Sequence, residues 1–253
     1  MDHFPYDPRF APPSWLADEV AERLCERLDW LKIAPRRILW LGPSEQRAAA
    51  LGKRYRGATL TPYPASGSAK QSLIARWRER LRGHKRDSGA NAAAPVPPEL
   101  ATSAELLLAN LLLYHTQQPE LVLSAWHELL APQAPLFFTT FGPDTLKEVQ
   151  ALAANLPWPR LPDMHDLGDL LVRLRYAEPV MDMHYLTIAY QRPEAFLADW
   201  GAWFGLDAGR LNQLIFPLTL TVELVFGHAW RAGPSSLPGN TAATSQPIRW
   251  HRR

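Results

Sequence analysis

The stretch RILWLGPSEQRAAALGKRY, residues 37–55, decides how the chain is read. Arg37 to Leu41 is an apolar run of strand length, Gly42-Pro43 closes it, and a helix is expected from Glu45 to about Tyr55. Strand, tight turn and helix in this order open a nucleotide-binding unit. In such a turn, glycines permit positive φ and close backbone approach, and the helix N-terminus presents free N–H groups. Here the turn holds a single glycine, Gly42, followed by Pro43 and Ser44. The question is whether this turn holds a cofactor or only connects two elements.

Working outward, the neighbouring segments alternate in the same way. Ser14 is the expected cap of a helix running to about Leu31, with Trp15, Val20, Leu24, Leu28 and Leu31 as its apolar stripe, and Pro35 ends it. A short strand is expected near Ala58 to Thr61, then a basic helix from Lys70 to Arg82. Residues 83–102, rich in Ala, Pro, Gly and Ser, read as a mobile surface loop. Glu105 to Leu113 is nearly all apolar, as a strand buried on both faces of a parallel sheet would be. Further elements are a helix over Leu121 to Leu130, a strand over Pro135 to Phe141 and a helix from Asp163 to about Leu174. A strand over Val180 to Tyr190, a Trp-rich helix over Pro193 to Phe204 and a strand over Leu218 to His228 complete the layout. Alternation of this kind argues for βαβ units in one α/β domain, residues 1–231, with a loose tail over 232–253.

Composition bounds the function. The 253 residues carry a formal net charge of +2, and the basic residues fall in short runs, so a clustered phosphate-binding surface is not expected and neither is nucleic-acid binding. Cys25 is the only cysteine, which leaves no disulfide framework and no cysteine-based zinc site; it reads as a small buried hydrophobe. The N-terminus has no signal-peptide pattern, and no apolar run approaches the roughly 20 residues of a membrane span. A cytoplasmic protein without a membrane partner is the expectation.

Several strings carry a family resemblance: EVAERLCERLDWLKIAPRRILWLG (19–42), LLLANLLLYHTQQPELVLSAWHELLAP (106–132), FFTTFGPDTLKEV (137–149), DMHDLGDLLVRLRYAEPVMDMHYLTIAY (163–190) and TVELVFGHAWR (221–231). Together they resemble the class I S-adenosylmethionine (SAM)-dependent methyltransferases. Within that class they are most like the malonyl-acyl-carrier-protein O-methyltransferases of biotin synthesis and the related complex I assembly methyltransferase-like proteins. The resemblance implies a Rossmann-like fold, a mostly parallel sheet with an antiparallel last strand and helices on both faces. It also implies SAM as the cofactor, if any is bound, and an acyl-carrier protein as partner.

It implies site residues as well. The family's first turn reads Leu-Asp-Leu-Gly-Cys/Ala-Gly-Thr-Gly, aligned here with Leu39 to Gln46: Trp40 replaces the acid, and Ser44 and Gln46 replace the later glycines. After the second strand, where the family places a ribose-binding carboxylate, this chain has Pro62, Tyr63 and Pro64. Gln133 and Ala134 likewise stand where two glycines are expected. Three lost contacts at about 1 kcal/mol or more each would weaken cofactor binding by about two orders of magnitude. The candidate cofactor-binding residues are therefore Gly42, Pro43, Tyr63, Asn110 and Leu111, and the candidate substrate-binding residues Thr140, Phe141, Asp163, His165 and Asp166. No catalytic residue is assigned, because methyl transfer to an ionised carboxylate needs no general base.

Bland readings stand beside these. Asp163 and Asp166 suit a helix N-terminus better than a metal, although His165 and Asp169 share a helical face. Asp144 reads as the cap of a following helix, the aromatic face of Phe196, Trp200 and Trp203 as core, and His228 as structural. Two functions remain open: a SAM-dependent O-methyltransferase, or a non-catalytic relative that uses the fold as a binding or assembly module.

Overall fold

A computed structural model describes residues 11–63, 103–116, 118–150, 161–204 and 214–233. The basic helix over 70–82, the loop over 83–102 and the tail beyond Gly233 lie outside the described residues. Among the described residues six strands form one sheet: β1 (Arg37–Leu41), β2 (Thr59–Tyr63), β3 (Leu106–Ala109), β4 (Pro135–Phe141), β5 (Tyr176–Tyr190) and β6 (Leu218–Arg231). Their order is β2-β1-β3-β4-β6-β5. The first four run parallel, and β6 returns antiparallel between β4 and β5. The methyltransferase-like, mostly parallel sheet expected from the resemblance is thus present.

Among the described residues six helices flank it: α1 (Ser14–Glu26), α2 (Glu45–Arg54), α3 (Pro119–Leu129), α4 (Lys147–Gln150), α5 (Met164–Arg173) and α6 (Pro193–Phe204). The side chains of α1, α2 and α6 meet one face of the sheet and those of α3 and α5 the other, giving two apolar clusters. β3 and β4 are buried at every position, which is why both read as unbroken apolar runs.

Several boundaries differ from the sequence expectation, each for a local reason. α1 stops at Glu26 and a 3-10 turn covers Arg27–Trp30, while Pro13, not Ser14, is its N-cap and makes no side-chain cap bond. Trp15 leaves the stripe and is 44% exposed; its Nε1 donates to Asp199 on α6 at 3.0 Å, and Leu16, Ala17, Val20, Ala21, Leu24 and Leu28 are the buried set. β3 ends at Ala109, four residues before the expected end. Asn110, the next residue, turns its amide into the interior, and the chain enters a 3-10 turn at Leu113–His115. β5 starts at Tyr176 because an irregularity between Ala177 and Val180, with Glu178 at φ 50°, lets pairing resume past Pro179. Asp144 does not cap the helix after it; its carboxylate holds the Lys147 ammonium at 3.0 Å.

Cys25 is half-buried against the core, and burial pushes its thiol up to about 11, the state of an unreactive packing residue. Among the described residues no helix is long and apolar enough to cross a membrane.

Candidate functional site

β1 leads on to β2 at one side while β3 lies at the other, so the strand order reverses between β1 and β3, and the crevice above their carboxyl ends is where open α/β sheets take ligands. Five of the candidate residues gather there. Gly42 follows β1 at φ 106°, and a Cβ on it would stand 2.1 Å from the carbonyl oxygen of Asn110. The glycine is therefore demanded by the end of β3 pressing on this turn. Ser44 also takes a left-handed conformation, φ 81°, and its hydroxyl accepts the N–H of Arg47 at 3.4 Å as the cap of α2. Tyr63 is the last residue of β2, in register with Leu41, at the same edge of the sheet.

The carbonyls of this turn all receive protein donors. Leu41 O accepts Asn110 N at 2.8 Å, and Gly42 O accepts the indole Nε1 of Trp40 at 3.2 Å. Pro43 O accepts Asn110 Nδ2 at 3.2 Å, and Ser44 O accepts Ala48 N at 3.2 Å. Trp40, at the position of the family's acid, is buried among the side chains of the α1 face.

Asn110 is fully buried and its side chain is committed to the protein. Nδ2 also donates to Ala17 O on α1 at 3.0 Å, and Oδ1 accepts from Thr139 Oγ1 at 3.0 Å. Leu111, buried at φ 47°, donates its N–H to the same threonine oxygen at 2.9 Å. Asn110 thus ties α1, the β1 turn and β4 into one knot.

The candidate substrate residues fall into two groups. Thr140 and Phe141 end β4, both fully buried. Phe141 lies on the α1 face within an aromatic cluster, edge-on to Tyr114 at 5.1 Å and to Trp203 at 5.3 Å, so the aromatic face of α6 is core, as expected. Thr140 lies on the opposite face. Asp163, the N-cap of α5, accepts His165 N at 2.7 Å, which holds its carboxyl below the usual carboxylate range. His165 and Asp166 are exposed on the first turn of that helix. Among the described residues no group of three or more His, Cys, Asp or Glu side chains could hold a metal ion.

Sequence reasoning assigned no role to Glu223. It is 4% exposed on β6, and its carboxylate lies over Gly142, where a Cβ would meet its Cδ at 2.3 Å. Its Oε2 accepts Asp144 N at 2.7 Å, its backbone N–H donates to Thr145 Oγ1 at 3.2 Å, and its backbone oxygen accepts from that hydroxyl at 3.0 Å. Glu223 therefore shapes the FGPDT turn after β4. Burial pushes its carboxyl up, and the charges of Asp144 and Asp163 act in the same direction. The one available signal was an acid inside the apolar run Val222 to Phe226.

A separate concavity of about 530 Å³ lies between α1 and the β5–β6 strands, lined by Glu19, Glu22, Arg27, Trp30, His184 and Phe226 among others. Its charges are largely paired internally: Arg27 with Asp182, Arg23 with Glu19 and Arg47 with Glu22.

No protein-family model matches the chain. Curated relatives do. The malonyl-[acyl-carrier protein] O-methyltransferase of a Methylovorus species is 32% identical over 85% of this chain and 82% of the relative. The proteins of the same description from Gallionella capsiferriformans and Laribacter hongkongensis are 30% and 31% identical, over 87% and 88% of this chain and 85% and 84% of the relatives. Among solved structures, the YcgJ protein of Bacillus subtilis aligns with TM-score 0.54 at 11% identity, over 83% of this chain and 98% of its own. Phosphoethanolamine N-methyltransferase 2 of Haemonchus contortus, solved with S-adenosyl-L-methionine, aligns with TM-score 0.51 at 15% identity, over 88% of this chain and 54% of its own. At such identities the likeness concerns the fold alone. The sequence relatives go further, because they match over most of both chains: the chain belongs to the malonyl-[acyl-carrier protein] O-methyltransferase family and carries the class I methyltransferase fold.

Proposed function

We propose that this chain is a member of that family that no longer holds SAM in the ordinary way and serves as a binding or assembly module, with an acyl-carrier protein as the partner its relatives' substrate points to. The observation that carries this reading is the closure of the β1 turn on itself. A cofactor bearing an ammonium and a sulfonium needs acceptors, and each of the four successive carbonyls from Leu41 to Ser44 already receives one protein donor, which leaves a single lone pair apiece. Trp40 fills the place of the acid with a buried indole, and Pro43 has no N–H to offer. The residues present do not match the donor and acceptor set of such a cofactor, so no methyl-transfer step is derived through it.

A second reading, SAM-dependent O-methyl transfer, is favoured by one observation. Gly42 and Ser44 both keep positive φ, so the turn retains the backbone shape that glycines would give it although a serine stands at one position. Isothermal titration of the full chain with SAM separates the two. The proposal expects no saturable binding at millimolar SAM; a dissociation constant near micromolar overturns it and restores the enzyme reading.

A further inference from the structure

At the carboxyl end of β4, two polar atoms on one face of the sheet have no hydrogen-bond partner among the described residues, and one of them is also cut off from solvent. The hydroxyl of Thr140, fully buried, makes none. Glu223 uses Oε2 for Asp144 N, and Oε1 accepts nothing. The register brings the two together: Thr140 pairs with Val225, two residues along β6 from Glu223, so both side chains leave the sheet on the same side as diagonal neighbours. Gly142, between them on that face, has no side chain, and the Glu223 carboxyl occupies the space a Cβ would take.

The charges around this corner are one-sided. Asp144 and Asp163 raise the cost of ionising Glu223, and the compensating cation, Lys147, is itself bound to Asp144 at 3.0 Å and lies over the Tyr185 ring at 5.7 Å. The Tyr185 hydroxyl donates to Asp144 at 3.3 Å. A carboxylate with one oxygen unbonded, two carboxylates nearby and its one nearby cation already bound to Asp144 is poorly compensated. Among the described residues these carboxylates form no group that could hold a metal ion. A free carboxylate entering here would be repelled by the charges of Asp144 and Asp163 as Glu223 is.

We propose that Thr140 and Glu223 form a subsite for a primary ammonium group, which donates one N–H to Glu223 Oε1 and another to Thr140 Oγ1. An ammonium carries three donors on one compact charge, enough to satisfy both orphaned oxygens and leave one for solvent or a neighbouring carboxylate. The subsite stands apart from the β1 turn, so the presence or absence of SAM binding at Gly42 does not decide it.

The test is titration of the full chain with n-butylammonium, against butyramide and butyrate as neutral and anionic analogues, read from the backbone amide NMR signals of Gly142 and Asp144. Saturable shifts with the amine alone are expected. Glu223→Gln keeps the acceptor for Asp144 N–H and removes the charge, so it weakens amine binding by at least about tenfold, while Thr140→Val weakens it about threefold or more. The proposal is overturned if butyramide or butyrate binds as tightly, if Glu223→Gln binds the amine like the unaltered chain, or if no saturable shift occurs.

Discussion

The Tyr114 ring stacks on the Trp203 indole, with centroids 4.8 Å apart and planes 13° from parallel. Tyr114 lies in the turn after β3 and Trp203 near the end of α6, so this one stack ties the C-terminal half of the chain to the strand-order reversal. Phe141 meets Trp203 edge-on, and Trp200 meets it at 88° with centroids 5.2 Å apart, so the indole contacts rings from three elements. Its Nε1 also donates to Ala11 O at 3.1 Å, which fixes the start of the described chain against α6.

Trp203→Ala removes all of these contacts at a buried position and is expected to cost about 3–5 kcal/mol, read from the urea midpoint at unchanged slope. Trp203→Phe keeps an aromatic ring and loses the Nε1 donor, so its cost is expected to be less than half as large. Equal losses for the two variants would show that the hydrogen bond to Ala11, rather than stacking, holds α6 in place.

Asn110→Ala leaves Pro43 O without its donor, Ala17 O with only its helical bond and Thr139 Oγ1 without its acceptor. At about 1–3 kcal/mol for each buried group left unsatisfied, a loss of about 3 kcal/mol is expected. Asn110→Asp is expected to be at least as damaging, because it sets a carboxylate against two buried carbonyls. A stable Asp variant in urea denaturation at pH 7.5 would contradict this account of the knot.

Histidines set the response to mild acid. Burial lowers the affinity of His127 and of His228 for a proton, with the charges of Arg231 and Arg27 adding to the effect. In the unfolded chain both titrate near 6.5, so below that pH the unfolded state takes up protons that the folded state refuses. The stability these residues contribute is therefore complete above about pH 6.5 and is lost as pH falls through their lowered folded values. Melting at pH 5.5 should be cooler than at pH 7.5, by under about 1 kcal/mol per histidine once solvent screening is counted. Replacing both residues by Gln should flatten the difference; an unchanged slope would assign it to other groups.

The legible part of the fold was the part written in local patterns. β4 and α6 were expected over the residues they occupy, because proline opens each run and its apolar residues are consecutive or helically spaced. The end of β3 and the start of β5 were not, because each depends on a partner far along the chain: Asn110 on Ala17 and Pro43, and the 177–180 irregularity on β6. At the site, Asn110 and Thr140 could be singled out as polar residues ending apolar strands. The carbonyls that Asn110 serves, on Ala17 and Pro43, could not, since a backbone carbonyl has no sequence signature. Glu223 escaped for the same reason, its donor on Asp144 being 79 residues away.

β5 is an outermost strand among those described, and its 15 residues leave a long row of backbone groups unpaired on one side. Such an edge invites a second molecule to add its own strand. The irregularity at 177–180 interrupts that template: Pro179 offers no N–H, and Glu178 takes a conformation no regular ladder accepts. The break that delayed recognition of the strand in the sequence also shortens the surface on which these molecules could polymerise.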